Sequence, residues 1–218
     1  MRIEFIMPVM RPKLALLLLD DLAIQTQLIN KITIVDNGGN FKLQRKYPFE
    51  VELISYMKNI GVNAVWNKMF DIEADYIGLI GDDYRLDKNL IKILINSFKL
   101  HKDMAASTAT IFKKDNFLSA DPYNISGRHV SGKGHMGAII FRKCILDQLP
   151  LIPKEFFIFF GDNWLGWWID TIGYKIYEVS VGISEVYKTD LKDKLDYPTV
   201  IENERDYWKD WLRSKIEL

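Results

Sequence analysis

The chemistry legible in this chain lies in its acidic side chains. Asp82-Asp83 follows the apolar run from Asp75 to Ile80 and Gly81, Asp36 closes the β-branched run Lys31 to Val35, and Asp162 stands between Gly161 and Asn163. Two adjacent carboxylates behind an apolar strand are costly together unless a cation neutralises them. Oxygen ligands of this kind suit magnesium or manganese, which commonly bridge to substrate phosphates. The same pair also serves as a plain turn before a helix. Asp36-Asn37-Gly38-Gly39 likewise makes a good turn anywhere. Asp162 follows Phe156 to Phe160, five residues of which four are Phe. Such surroundings raise a carboxyl pKa toward that of a general base, and the residue equally suits the cap of a helix starting near Trp164. Trp164, Trp167 and Trp168 read as core, with a sugar-stacking wall as the alternative.

Elements must carry these groups to one place. Ile3 to Met7, bounded by Pro8, reads as a buried strand. Pro12 suits the first turn of a helix whose Leu14, Leu17, Leu18 and Leu22 recur at helical spacing. Further strands are expected at 31–35, 51–54 and 75–80, with a helix at 62–70. Asp87 is a plausible N-cap for a helix with the stripe Leu90, Ile91, Leu94, Ile95 and Phe98. Residues 126–137, rich in Gly with Arg128, His129, Lys133 and His135, read as a mobile loop, either a lid over the ligands or a solvated excursion. Strands at 138–142 and 174–179, a helix through 164–172 and a last helix over 201–216, with Trp208 and Leu212 inward, complete the pattern. Strands alternating with helices imply an α/β sheet of mainly parallel strands, and ligands of such sheets bind beyond the carboxyl ends of the strands.

Composition narrows the field. The 218 residues carry 29 basic and 29 acidic side chains, so no net field draws the protein to nucleic acid or anionic lipid, and no nucleic-acid patch is evident. At about 150 residues per domain the length fits one domain. A hydrophobic fraction of 48% excludes disorder. The single Cys144 excludes an intramolecular disulfide framework and a thiolate zinc cluster. The run Leu14 to Leu19 falls far short of the ~20 residues of a membrane span, and no cleavable signal is seen, so a cytoplasmic location is expected.

The order of these pieces resembles the nucleotide-sugar glycosyltransferases of the GT-A fold, especially their large inverting family two. The matching segments are Met7-Pro8-Val9-Met10-Arg11-Pro12, the strand end Ile32 to Gly38, Asn59-Ile60-Gly61 with Asn67, Gly81-Asp82-Asp83 for the metal motif, Phe141-Arg142-Lys143, and Gly161-Asp162 followed by Gly173 to Ile176. Together they span about residues 1 to 180. The resemblance implies a single α/β domain built as a three-layer sandwich. Its nucleotide-binding half would be 1–100, its acceptor and catalytic half 101–190, and its C-terminal helix 191–218. It also implies inverting transfer of a hexosyl or deoxyhexosyl group from a nucleoside diphosphate sugar to a hydroxyl of a glycan or other acceptor. Pro8, Val9, Met10, Arg11, Asp36, Asn59, Asn67 and Asp82 would meet the donor, and Asp83 with Asp82 would hold Mn2+ or Mg2+. Asp162 would be the base, and Arg128, His135 and Trp164 would serve acceptor or lid.

Departures from the family pattern leave room for other readings. The first Asp of the metal motif is missing, Gly161 replaces the usual Glu before the base, and Trp66 stands where an Arg is common. No His follows His135, so Lys188 is the candidate for charge on the diphosphate. The alternatives are a non-catalytic sugar- or nucleotide-binding relative and a sugar-phosphate nucleotidyltransferase.

Overall fold

The computed structural model describes residues 1–113, 127–130, 137–185 and 197–216. Their strands are β1 (Ile3–Val9), β2 (Lys31–Asp36), β3 (Glu50–Ser55), β4 (Tyr76–Ile80), β5 (Tyr84–Leu86), β6 (Met104–Lys113), β7 (Gly127–His129), β8 (Ala138–Arg142) and β9 (Lys175–Glu185). The helices are α1 (Pro12–Ala23), α2 (Val62–Trp66), α3 (Leu90–Ser97), α4 (Lys143–Leu146), α5 (Gly161–Thr171) and α6 (Tyr197–Ile216), with a 3-10 turn at Asn67–Asp71.

All nine strands join one mixed sheet in the order β3-β2-β1-β4-β8-β6-β9-β5, with β7 on β9. Strands β3, β2, β1 and β4 run parallel. Beyond them β8 is antiparallel to both β4 and β6, while β6 and β9 are again parallel. The sheet is therefore an α/β sheet of the expected kind, with its unbroken parallel block at the end that carries Asp36 and Asp82.

Both faces are covered, which accounts for strands that are apolar throughout. Phe5, Met7 and Val9 of β1 enter the core under α1 and α3, and Ile6 enters the core that includes Val65, Leu165 and Ile169 of α2 and α5. Close approach of β1 and β4 depends on Gly78, where a Cβ would lie 2.3 Å from the Phe5 ring.

Four local expectations change. The buried stripe of α1 is Ala15, Leu18, Leu19 and Leu22, whereas Leu17 is exposed. The helix expected over 62–70 is a short α2 running into the 3-10 turn. Residues 127–129, read as loop, are a strand hydrogen-bonded to β9. Asp87 does not cap α3 itself, since Asn89 holds that position. Its carboxylate instead accepts the Asn89 N–H at 2.7 Å, two residues before the helix cap.

Candidate active site at the carboxyl edge of the parallel strands

Because β2, β1 and β4 are parallel neighbours, their carboxyl ends emerge along one edge. Val9 is paired with Asp36, and Ile6 with Leu79 two residues before Gly81. The turns that follow are bonded to one another. The Met10 and Arg11 N–H groups donate to Asp82 Oδ2 at 2.7 and 2.6 Å, and the Asn37 N–H donates to the Val9 carbonyl at 2.9 Å. The edge is thus a continuous rim of residues 9–11, 36–41 and 81–83.

Arg11 organises its acidic part. One guanidinium nitrogen, Nη1, reaches Asp82 Oδ1 at 2.9 Å and Asp83 Oδ2 at 2.7 Å. Asp82 is 5% exposed. Burial pushes its pKa up to about 6, against the opposing pull of Arg11 and the amides of Met10 and Arg11. Asp83 is raised by burial too, and Arg11 pulls it back. One guanidinium between a buried and a partly buried carboxyl leaves the ionised cluster with a net negative charge, which favours a further cation.

The donor set fits a hydrated Mg2+ or Mn2+: hard oxygens from one or two carboxylates, with remaining positions left for water and phosphate. Among the described residues no group of three or more His, Cys, Asp or Glu gathers as a metal cage. Asp82 spends its oxygens on Arg11 and the two amides, so Asp83 is the better placed of the two to meet an ion.

Asp36, 2% exposed, holds its own turn: its carboxylate accepts the Gly38 N–H at 3.1 Å and the Phe41 N–H at 2.7 Å. An ionised carboxylate has about four acceptor positions, so these two bonds leave acceptor capacity. Asn59 Oδ1 accepts the Gly61 N–H at 2.8 Å, shaping a turn in which Gly61 adopts φ 87°. Only glycine fits there, since a Cβ would stand 2.5 Å from the Phe157 carbonyl oxygen. Asn67 does something the sequence reading did not foresee. Both ends of its amide bond the Ile152 backbone at 2.8 Å, so it ties the 3-10 turn to the segment before α5.

The loop before Asp162 is bonded to the 59–63 turn, which is itself tied to the rim by the Ile60 N–H donating to Asn37 Oδ1 at 3.4 Å. Asn63 bonds the Phe157 carbonyl through its N–H at 3.4 Å and the Phe159 carbonyl through Nδ2 at 2.9 Å. Asp162 lies in the first turn of α5, accepting the Asn163 N–H at 2.9 Å. The residue that launches this helix, Phe160, is the only non-glycine with positive φ (58°) among the described residues. Left-handed backbone at a bulky residue costs roughly 1–3 kcal/mol and collects at functional sites. Gly161 has a steric explanation: a Cβ would come within 1.9 Å of Asn63 Oδ1, so a larger residue before Asp162 would have to displace Asn63.

Trp164 is 6% exposed and packs on Phe156 and Trp211, a core position that leaves no ring face for a sugar. Arg128 lies in β7, opposite Glu178 of β9. His135 and Lys188 lie outside the described residues, as does Lys133. Sequence reading also missed Glu204, whose buried carboxylate bonds the amides before Asp162. Its only signal is a charged residue inside the helical stripe Ile201, Tyr207, Trp208 and Trp211.

The fold is that of the GT-A glycosyltransferases. S. aureus TarS (segment 1–349), solved in complex with UDP, superposes with a TM-score of 0.63 at 15% identity, over 94% of this chain and 64% of that one. GalNAc-T7 with UDP, GalNAc and Mn2+ gives 0.65 at 9% identity, over 87% and 44%. The mannosyltransferase PcManGT from Pyrobaculum calidifontis with GDP-Man and Mn2+ gives 0.62 at 13%, over 87% and 58%. The chain thus spans less than two thirds of each of these structures. No family model matches the sequence, and no curated protein is detectably similar to it.

Proposed function

We propose that this chain is an inverting glycosyltransferase that moves a sugar from a nucleoside diphosphate sugar to an acceptor hydroxyl. The observation that supports this most is the placing of Asp36 and Asp82-Asp83 on one sheet edge of a GT-A fold, with the loop before Asp162 bonded to Asn63. Asp36 and the backbone of Pro8 to Met10 receive the nucleoside, and Asn59 shapes the turn beside it. Asp83, with Asp82, would hold a divalent ion, and such an ion would supply charge to offset that on the departing diphosphate. Arg11, already between the two acids, would add positive charge beside the same phosphates. Asp162 takes the proton from the attacking hydroxyl, a step worth about 10²–10⁴-fold. That the solved neighbours were captured with UDP or GDP-Man and two of them with Mn2+ supports the donor class and the ion.

A binding-only relative is the second reading, favoured by the Arg11 guanidinium bridging the two acids a metal would need. Release of nucleoside diphosphate from UDP-N-acetylglucosamine and GDP-mannose with Mn2+ separates the two. Turnover that Asp162→Asn reduces by two orders of magnitude or more, with nucleotide binding retained, supports the transferase. Binding without turnover for every donor and acceptor tried supports the relative.

A further inference from the structure

The loop before Asp162 is bonded on both sides. Its carbonyls at Phe157 and Phe159 go to Asn63, next to the nucleotide rim. Its amides go the other way: the Ile158 N–H donates to Glu204 Oε1 at 3.1 Å and the Phe159 N–H to Oε2 at 2.7 Å. Glu204 comes from α6, the helix most distant in sequence, and is 3% exposed. Its neighbours on the helix face are aromatic: Tyr207 packs edge-on against Phe156 at 5.1 Å, and Trp208 stacks on Phe160 at 6.4 Å. A carboxylate buried among rings is unfavourable unless hydrogen-bonded, and here its partners are the loop amides. Two residues further on, Phe160 is held at φ 58°, and α5 begins with Asp162 in its first turn.

We infer that Glu204 is a positioning residue: from α6 it fixes the strained 157–160 loop so that Asp162 points at the acceptor hydroxyl. The inference rests on the transferase reading above and adds to it a residue outside the family-like segments. Glu204 touches no reacting atom. Its effect passes through the loop amides, so its loss should fall on kcat rather than on donor binding.

Glu204→Gln keeps the side chain's size but turns an NH2 group toward an amide donor. Wild type and variant are compared by UDP and GDP titration, by steady-state donor turnover with Mn2+, and by amide hydrogen exchange at residues 157–160. Trp211→Leu serves as a control that loosens α6 without touching the loop amides. The expected result is unchanged nucleotide affinity, a 10- to 100-fold lower kcat with little change in KM, and exchange at 157–160 at least 10-fold faster. Trp211→Leu should keep its kcat at temperatures where it is folded. If Glu204→Gln does not fold, Glu204→Asp, one methylene shorter, carries the same comparison. Unchanged kcat, a loss confined to KM, or an equal kcat loss in Trp211→Leu would overturn the positioning role and leave the transferase reading standing. A wild-type protein that neither binds nor turns over any nucleotide sugar would overturn the transferase reading, and the positioning role with it.

Discussion

Arg11 and its two carboxyls set the behaviour expected of single residues. A carboxyl whose folded pKa lies above its unfolded value keeps its proton in the native state after the unfolded chain has lost it. The native state of Asp82 therefore binds more protons between 3.8 and about 6, and stability contributed by this site falls as pH rises through that window. Denaturant melts without metal should show this decline in the wild type and a flatter profile in Asp82→Asn. Mn2+ binding needs the ionised acids, so its affinity should rise over the same interval. Asp83→Asn should weaken Mn2+ at least 10-fold, measured by titration calorimetry. The acids at 36, 82–83 and 162 stood out in the sequence because each punctuates an apolar run, although a turn or a helix cap accounts for each of them equally well. The destination of the Asn67 amide was not, since its partner lies 85 residues away.

Elements meet at glycines. Gly161→Ala would drive a methyl group into Asn63, and it should destabilise the protein by about 1–3 kcal/mol, as overpacking does. Adding Asn63→Ala should recover part of the loss, visible in denaturant midpoints. Gly78→Ala should cost a similar amount through the Phe5 ring and be relieved by Phe5→Leu. Most strands of the parallel block were readable from β-branched runs ending in turn residues. Strand β6 was not: Ala105-Ala106-Ser107-Thr108-Ala109 lacks the large apolar alternation of a strand, yet it is buried between β8 and β9. The phase of α1 was misread for a related reason, because an unbroken apolar stretch from Leu14 to Leu19 carries no periodicity.

Across the whole molecule, the C-terminal helix closes the second core. Trp208 and Trp211 stack at 5.2 Å, and Phe156 bridges them to α5 through Trp164. Phe156→Ala should cost about 3–5 kcal/mol and shift the tryptophan fluorescence, because it empties the centre of this cluster. Among the described residues no helix is long and apolar enough to cross a membrane. The GT-A fold was legible only from the order of several loose motifs, because each alone is an ordinary turn or cap. Their convergence on one edge depends on strand order, which local sequence does not encode. The central claim is that this edge binds a nucleoside diphosphate through a metal held by Asp83. Its most direct test is thermal stabilisation by UDP and GDP, with and without Mn2+, in the wild type and in Asp83→Asn. At about 100 times the dissociation constant, ligand should add roughly 2.7 kcal/mol to the wild type, dependent on Mn2+ and lost in the variant. Melting points that no nucleotide moves, or a shift that Asp83→Asn leaves intact, would contradict it.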